Sequence, residues 1–244
     1  MELWIILLIV VVAATTQSAI GFGLAVVFTP LATLVVGAQE AIATSMLLAV
    51  VLSVATYAEH RPRASLRDIA PLGLAAVAAT PLGILALTRF DETSLRVLVG
   101  TAVLIGAVST LTRGAPSERA ERLPVTIAVG LVGGVARGAT SMGGPAVVLY
   151  QHWLGRPADA IRGNMFAYFA FLSVLSLPVV WFGGVITDDV VRNLLAALPA
   201  LAAGLLAGRW LRGRLPERWF RRITLALLAG TSVAAFGGAL ASAL

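Results

Sequence analysis

The chain has no cysteine and no lysine, only two histidines, and charged side chains at 12% of its 244 residues. Each shortage excludes something. Without cysteine there is no disulfide framework and no thiolate metal site. His60 and His152 stand far apart in sequence, and no pair of carboxylates falls inside an apolar run, so no metal-ligand set is expected. A water-facing domain carries about 25% charged residues. Half of that cannot cover a soluble surface, so most of this chain must face lipid.

What the chain has in quantity is apolar surface: 59% of its residues are hydrophobic and the mean hydropathy is +0.93. A helix that crosses a bilayer needs about 20 apolar residues. Unbroken runs near 40–58, 67–88, 95–112, 160–183, 191–208 and 223–243 meet that length. Two further stretches, 3–36 and 124–154, are too long for one span and too short for two. Glycine interrupts both, at "AIGFGLAVV" and at "SMGGPAVV". Each predicts a pair of short helices meeting at a glycine break. The first stretch has no basic residue ahead of it and continues past any small-residue cleavage site, so it is expected to be retained rather than removed as a signal peptide.

All 18 basic residues are arginine, and their distribution sets an orientation. Loops 59–68, 112–123, 155–162 and 208–222 hold 14 of them, whereas loops 88–96 and 183–192 hold 3. The positive-inside rule places the first group in the cytoplasm. Each glycine-broken stretch must then return to the side on which it began, and both termini are expected outside, in the periplasm or extracellular space. One arginine belongs to neither group. It is Arg137, inside the apolar stretch "GGVARGATSMGGP".

The halves of the chain resemble each other. "GLAVVFTPLATLVVGAQEAIATSM" at 23–46 runs parallel to "GPAVVLYQHWLGRPADAIRGNM" at 144–165, setting Gly23 on Gly144 and Met46 on Met165. Gly83, Arg89 and Glu92 fall on Gly208, Arg214 and Glu217. Corresponding loops carry opposite charge character. The expected fold is therefore an all-α polytopic membrane protein of two inverted-topology repeats, each with two short glycine-broken helices and three long transmembrane helices. The expected division is 1–112 for the first repeat, 113–123 for a cytoplasmic linker and 124–244 for the second, forming one membrane domain. Inverted repeats with discontinuous helices are a common build of secondary transporters, which bind substrate near the midplane between the halves.

Polar residues gather at both breaks. In the first half they are Thr15, Thr16, Gln17 and Ser18, with Thr44 and Ser45 on the next long helix; in the second they are Arg137, Thr140 and Ser141, with Asn164 matching Ser45. Helices starting after Gly21 and Gly23, and after Gly143 and Gly144, would present free N–H groups and the positive ends of their dipoles. Such termini bind anions. Arg137 adds a full charge and a planar fork of donors suited to an oxyanion. Together these residues outline a small-anion site, with Arg137 and the two N-termini holding the anion and the polar side chains donating hydrogen bonds.

Plainer roles compete. Gly130, Gly134 and Gly138 have the spacing of close helix packing. Arg137 could cap carbonyls or reach toward the cytoplasmic face, and the hydroxyls could bond back to their own helices. The tryptophans near segment ends suit interfacial anchoring. An enzyme is not expected: Ser141 lacks the glycine two positions earlier that a nucleophile elbow uses, Ala139 standing there.

The run "SMGGPAVVLYQHWLGRPADAIRGNMFAYF", with its first-half counterpart "GFGLAVVFTPLATLVVGAQEAIATSM", resembles the TauE/SafE family of sulfite exporters, also called the toluene-sulfonate uptake permease group. The resemblance covers nearly the whole chain. It implies secondary transport of sulfite or an organosulfonate across the inner membrane. Break positions carry over to Gly21, Gly23, Gly143 and Gly144, and the long-helix signature to Thr44, Ser45 and Asn164. No cofactor is implied. The expected partners are a small anion of the sulfite or sulfonate class and the lipid bilayer, not nucleic acid, with a homodimer left open. A passive anion channel is the alternative, and a membrane enzyme or assembly factor a more distant one.

Overall fold

The computed structural model describes residues 2–60, 66–111, 122–212 and 214. The expected span at 223–243 and most of the linker at 113–123 lie outside them. Described in chain order are α1 (Glu2–Ile20), α2 (Leu24–Val36), α3 (Ala38–His60), α4 (Leu66–Arg89), α5 (Glu92–Leu111), α6 (Leu123–Thr140), α7 (Gly144–Trp153), α8 (Ala158–Phe182) and α9 (Asp188–Arg212). No strand occurs among the described residues. Helices α3, α4, α6, α8 and α9 are long and apolar enough to cross a bilayer.

Local chemistry sets several boundaries. Gly37 separates α2 from α3 at φ 85°, a conformation that costs glycine little. Asp91 caps α5, accepting from the Ser94 amide at 3.3 Å and the Ser94 hydroxyl at 2.6 Å. Pro124 stands in the first turn of α6, where its missing N–H leaves no bond unmade.

Both glycine-rich stretches do divide in two, but not at their middles. Helix α1 has 19 residues and α6 has 18, while α2 has 13 and α7 only 10. At 1.5 Å per residue, α6 is about 27 Å long. The second stretch was expected to yield two short helices; its first member reaches spanning length because Gly130, Gly133, Gly134 and Gly138 stay helical. The breaks occupy Gly21–Gly23 and Ser141–Gly143 with the same pattern, a bend followed by two non-helical residues. Gly23 therefore matches Gly143 at the break, one position from where the sequence alignment sets it.

Those helical glycines exist to let two helices touch. A Cβ on Gly130 would lie 2.4 Å from the Leu72 carbonyl oxygen, on Gly134 2.1 Å from that of Ala76, and on Gly138 2.3 Å from that of Thr80. Helices α4 and α6 thus run side by side in the same direction, backbone on backbone. Helices α1 and α9 repeat the arrangement, with Gly204 against Ala14 and Gly208 against Ser18. Close small-residue packing of this kind drives helix association in lipid, where apolar burial alone gives little. Between the two pairs, α3 lies against α8. Large apolar side chains, including Leu8, Leu74, Leu82, Leu195 and Leu206, stand exposed on the outer surface of the described helices, as a lipid-facing surface requires.

The two ends of the bundle differ in charge. At one end the α2–α3, α4–α5 and α8–α9 junctions gather Glu40, Asp91, Glu92, Asp188 and Asp189. There the Ala38 amide donates to Glu92 at 2.8 Å and the Asn193 amide group donates to Glu40 at 2.6 Å. Val36, Gly37, Gln39, Glu40, Glu92 and Asp189 help line a vestibule of about 520 Å³ at this acidic end. At the opposite, arginine-rich end, Arg156 binds Asp68 at 2.9 Å. Arg209 and Arg212 both engage Glu59 there.

Candidate functional site

Arg137 sits in the last turn of α6 and is 1% exposed. Position favours the charge: the C-terminal end of a helix carries partial negative charge. Its backbone carbonyl accepts the Ser141 amide at 2.7 Å, closing the helix, and Ser141 then turns left-handed at φ 63°. A non-glycine residue in that region is uncommon, and here it ends α6 so that α7 can start back at Gly144.

The guanidinium is only partly satisfied. One terminal nitrogen donates to the Ser173 hydroxyl at 3.1 Å, and Nε has no partner. No carboxylate among the described residues pairs with it. An unmade hydrogen bond on a buried group costs about 1–3 kcal/mol, and more when the group is charged. An anion beside Arg137 recovers that cost.

Gln17 holds the corresponding place in α1, four residues before its break, as Arg137 stands four before Ser141. Its side-chain oxygen accepts the Leu24 amide at 3.2 Å, capping the first turn of α2, and its Nε2 is buried without a partner. Gln17 and Arg137 line one small cavity of about 10 Å³ together with Phe22, Gly23, Ala25, Val26, Ala49, Ser141, Met142, Gly144 and Phe169. That volume holds about one water, so loading an oxyanion requires the cavity to widen. The Ser141 hydroxyl is a further buried oxygen without a partner. Among the described residues, neither a carboxylate nor a histidine lines the cavity.

Glycine is needed here for close approach. A Cβ on Gly143 would stand 2.8 Å from the Gly133 carbonyl, and one on Gly144 2.7 Å from the Phe169 ring. At Gly23 the requirement is conformational as well, with φ 124° and the Thr16 methyl 2.8 Å from a would-be Cβ.

Of the residues singled out by sequence, Gln17, Gly23, Arg137, Ser141 and Gly144 meet at this cavity. The others lie elsewhere or are otherwise engaged. Thr16 and Thr140 donate back to the Val12 and Ala136 carbonyls of their own helices. Ser18 faces α9, donating to the Leu205 carbonyl at 3.0 Å, while Arg212 caps the Ser18 carbonyl. Gly21 abuts Arg162. Thr44 and Ser45 are buried in α3 with hydroxyls that find no partner. Asn164 donates to Gln151 at 3.1 Å.

Sequence reading missed Ser173, Phe22, Met142 and Phe169. The last three are apolar, and nothing in a run such as "FAYFAFLSVLS" separates a cavity wall from ordinary core. Ser173 follows Arg137 by 36 positions, a separation that carries no local signal.

The vestibule at the acidic end does not reach the cavity. Val185 and Val190 line the first, Val26 and Met142 the second, and all four belong to one apolar cluster with Ile42, Met46 and Val180. That cluster is the barrier between them.

A family model described as Sulfite exporter TauE/SafE matches residues 6–235 of the chain. Comparison with curated proteins and with solved structures gives no match.

Proposed function

Since the chain belongs to the sulfite exporter TauE/SafE family, a family of membrane transporters, we propose that it is a secondary transporter of a small sulfur oxyanion, bound at the Arg137 cavity between two inverted repeats. One observation carries this reading. The cavity lining comes in matched pairs, one from each half at the same place relative to its break: Gln17 with Arg137, Phe22 with Met142, and Ala49 with Phe169. A site lined by equivalent positions lies where two related halves meet, which is where alternating-access carriers bind.

The packing supports the same repeat. Equating α1–α4 with α6–α9 turns the α4–α6 contact into α9–α1 and leaves α3–α8 unchanged, and all three are present. The repeats run from 1 to 112 and from 124 to 244, joined by the linker at 113–123. The arginine-rich end faces the cytoplasm and the acidic vestibule faces outward, across the inner membrane, with both termini outside.

Chemistry narrows the cargo. One guanidinium, amide and hydroxyl groups and no carboxylate suit a sulfite or sulfonate head. Arg137, Gln17 and Ser141 contact it directly, and the N-termini of α2 and α7 add their dipoles. Gly21, Gly143, Thr16 and Thr140 shape the two breaks, while Ser18, Thr44, Ser45 and Asn164 lie on the helices packed around them. A cavity of about one water's volume favours a carrier over an open channel.

Thermal-shift binding against sulfite, sulfate, thiosulfate and small sulfonates, paired with flux into proteoliposomes, tests the reading. Arg137→Ala is expected to abolish binding and flux in a protein that still folds. Normal sulfite flux in that variant removes the site assignment.

A further inference from the structure

A line of buried polar side chains leaves Arg137 along the seam of α6, α7 and α8, and it leads toward the arginine-rich end. Gly133 stands one helical turn before Arg137 on the same face of α6, and the Tyr168 hydroxyl lies 3.0 Å from the place a Cβ on Gly133 would take. Tyr168 is fully buried and its hydroxyl has no hydrogen-bond partner. One turn further along α8 is Asn164, which donates to Gln151 of α7. The Gln151 amide nitrogen is likewise buried and unpartnered. Thr126 and Tyr150 follow, their hydroxyls 2.7 Å apart. The line ends at Arg156, bound to Asp68 and with its Nε unpartnered.

None of Tyr168, Gln151, Thr126 or Tyr150 lines the Arg137 cavity. They are surrounded instead by an apolar cluster that includes Ile69, Leu72, Val147 and Met165. A purely structural polar seam in such a core would satisfy its donors among themselves. This one leaves the Tyr168 hydroxyl and the Gln151 amide nitrogen idle, on facing helices, beside a cation that no carboxylate among the described residues pairs with.

We propose that Tyr168 and Gln151 form a transit subsite for the anion, between the Arg137 cavity and the arginine-rich end of the bundle. The proposal rests on the transporter reading above. The phenol and the amide each donate one neutral hydrogen bond to an oxyanion oxygen. A neutral donor holds an anion more weakly than a guanidinium does, as a step on a path requires. The seam therefore selects for a compact head with several acceptor oxygens.

The test uses the near-isosteric variants Tyr168→Phe and Gln151→Met in the full chain, with two readouts. Sulfite flux into proteoliposomes is expected to fall at least about tenfold in each. Equilibrium sulfite affinity, read by thermal shift, is expected to stay within about threefold of the parent, because Arg137 is untouched. Parental flux in both variants overturns the proposal. An affinity loss as large as the flux loss overturns it too, since the groups would then belong to the primary site.

A second measurement does not depend on flux. The chain has no native cysteine, so Gln151→Cys supplies a single thiol. A small sulfonate-bearing thiol reagent is expected to label it from the arginine-rich face and not from the acidic face. Failure to react from the arginine-rich face overturns the route. Failure of the transporter reading itself shows separately, as sulfite binding that survives Arg137→Ala.

Discussion

Gln17 and Arg137 occupy the same step of two different helices, each four residues before a break, and both face one cavity. One is a neutral amide and the other a permanent cation. The pair makes the cavity two-sided in shape and one-sided in charge.

That division of labour predicts unequal effects of substitution. Gln17→Leu removes the acceptor for the Leu24 amide and is expected to cost about 1 kcal/mol of stability. Anion affinity is expected to fall only about three- to tenfold, since the guanidinium remains. Melting temperature and sulfite binding in detergent measure both. A loss of binding as complete as in Arg137→Ala would mean that Gln17 carries the recognition.

Among the described residues, charge in the cavity comes from arginine alone, and arginine does not titrate in proteins near neutrality. With no carboxylate or histidine among the described residues of the lining, pH dependence of binding is expected to come from the ligand. A sulfonate, which stays anionic, is expected to bind with the same affinity from about pH 6 to pH 8. A change of more than about threefold across that range would require a titrating protein group at the site.

Helix contact at the glycine seam is open to direct challenge. A Cβ on Gly134 meets the Ala76 carbonyl at 2.1 Å, and backbone cannot swing aside. Gly134→Ala is expected to push α4 from α6 and to destabilise by roughly 1–3 kcal/mol, as overpacking does. Gly184→Ala is the control: nothing lies within 4 Å, and the cost comes from its φ of 70°. A melting temperature for Gly134→Ala equal to the parent's would show that the helices part freely.

Sidedness is the remaining test. Single cysteines at Arg122 and Asp159, at the starts of α6 and α8, are expected to label from one face. Single cysteines at Asp91 and Asp188 are expected to label from the other. Opposite-face labelling of Arg122 and Asp159 would mean that α6 and α7 together cross the membrane once instead of returning.

Much of the architecture is legible in sequence because lipid imposes length and glycine marks interruption. The runs 40–58 and 67–88 became α3 and α4, each extended by one or two residues at either end, since polar end residues stay helical at the interface. Less legible was how long the broken helices are. Glycine weakens a helix in water but serves packing in a membrane; the spacing of Gly130, Gly134 and Gly138 pointed to contact, and they are contacts in the fold, yet it did not say that α6 would stay helical through them to spanning length. Arg137 stood out because a charge in an apolar run is expensive. Tyr168 and Gln151 did not: a polar residue that is idle looks, in sequence, like one that is paired. Ser18 shows the converse, since its partner Leu205 lies too far along the chain for any local pattern to announce it.

The glycine seams also bear on how the chain is made. Helix α4 finds its partner in α6, and α1 finds its partner in α9, which begins only at Asp188. A ribosome releasing the chain from its N-terminus thus delivers α1 long before the surface that covers Ala14 and Ser18. Until then those faces need either lipid or a temporary helper, and neither half has all its neighbours on its own. Among the described residues, the surface that covers α1 is the last to arrive.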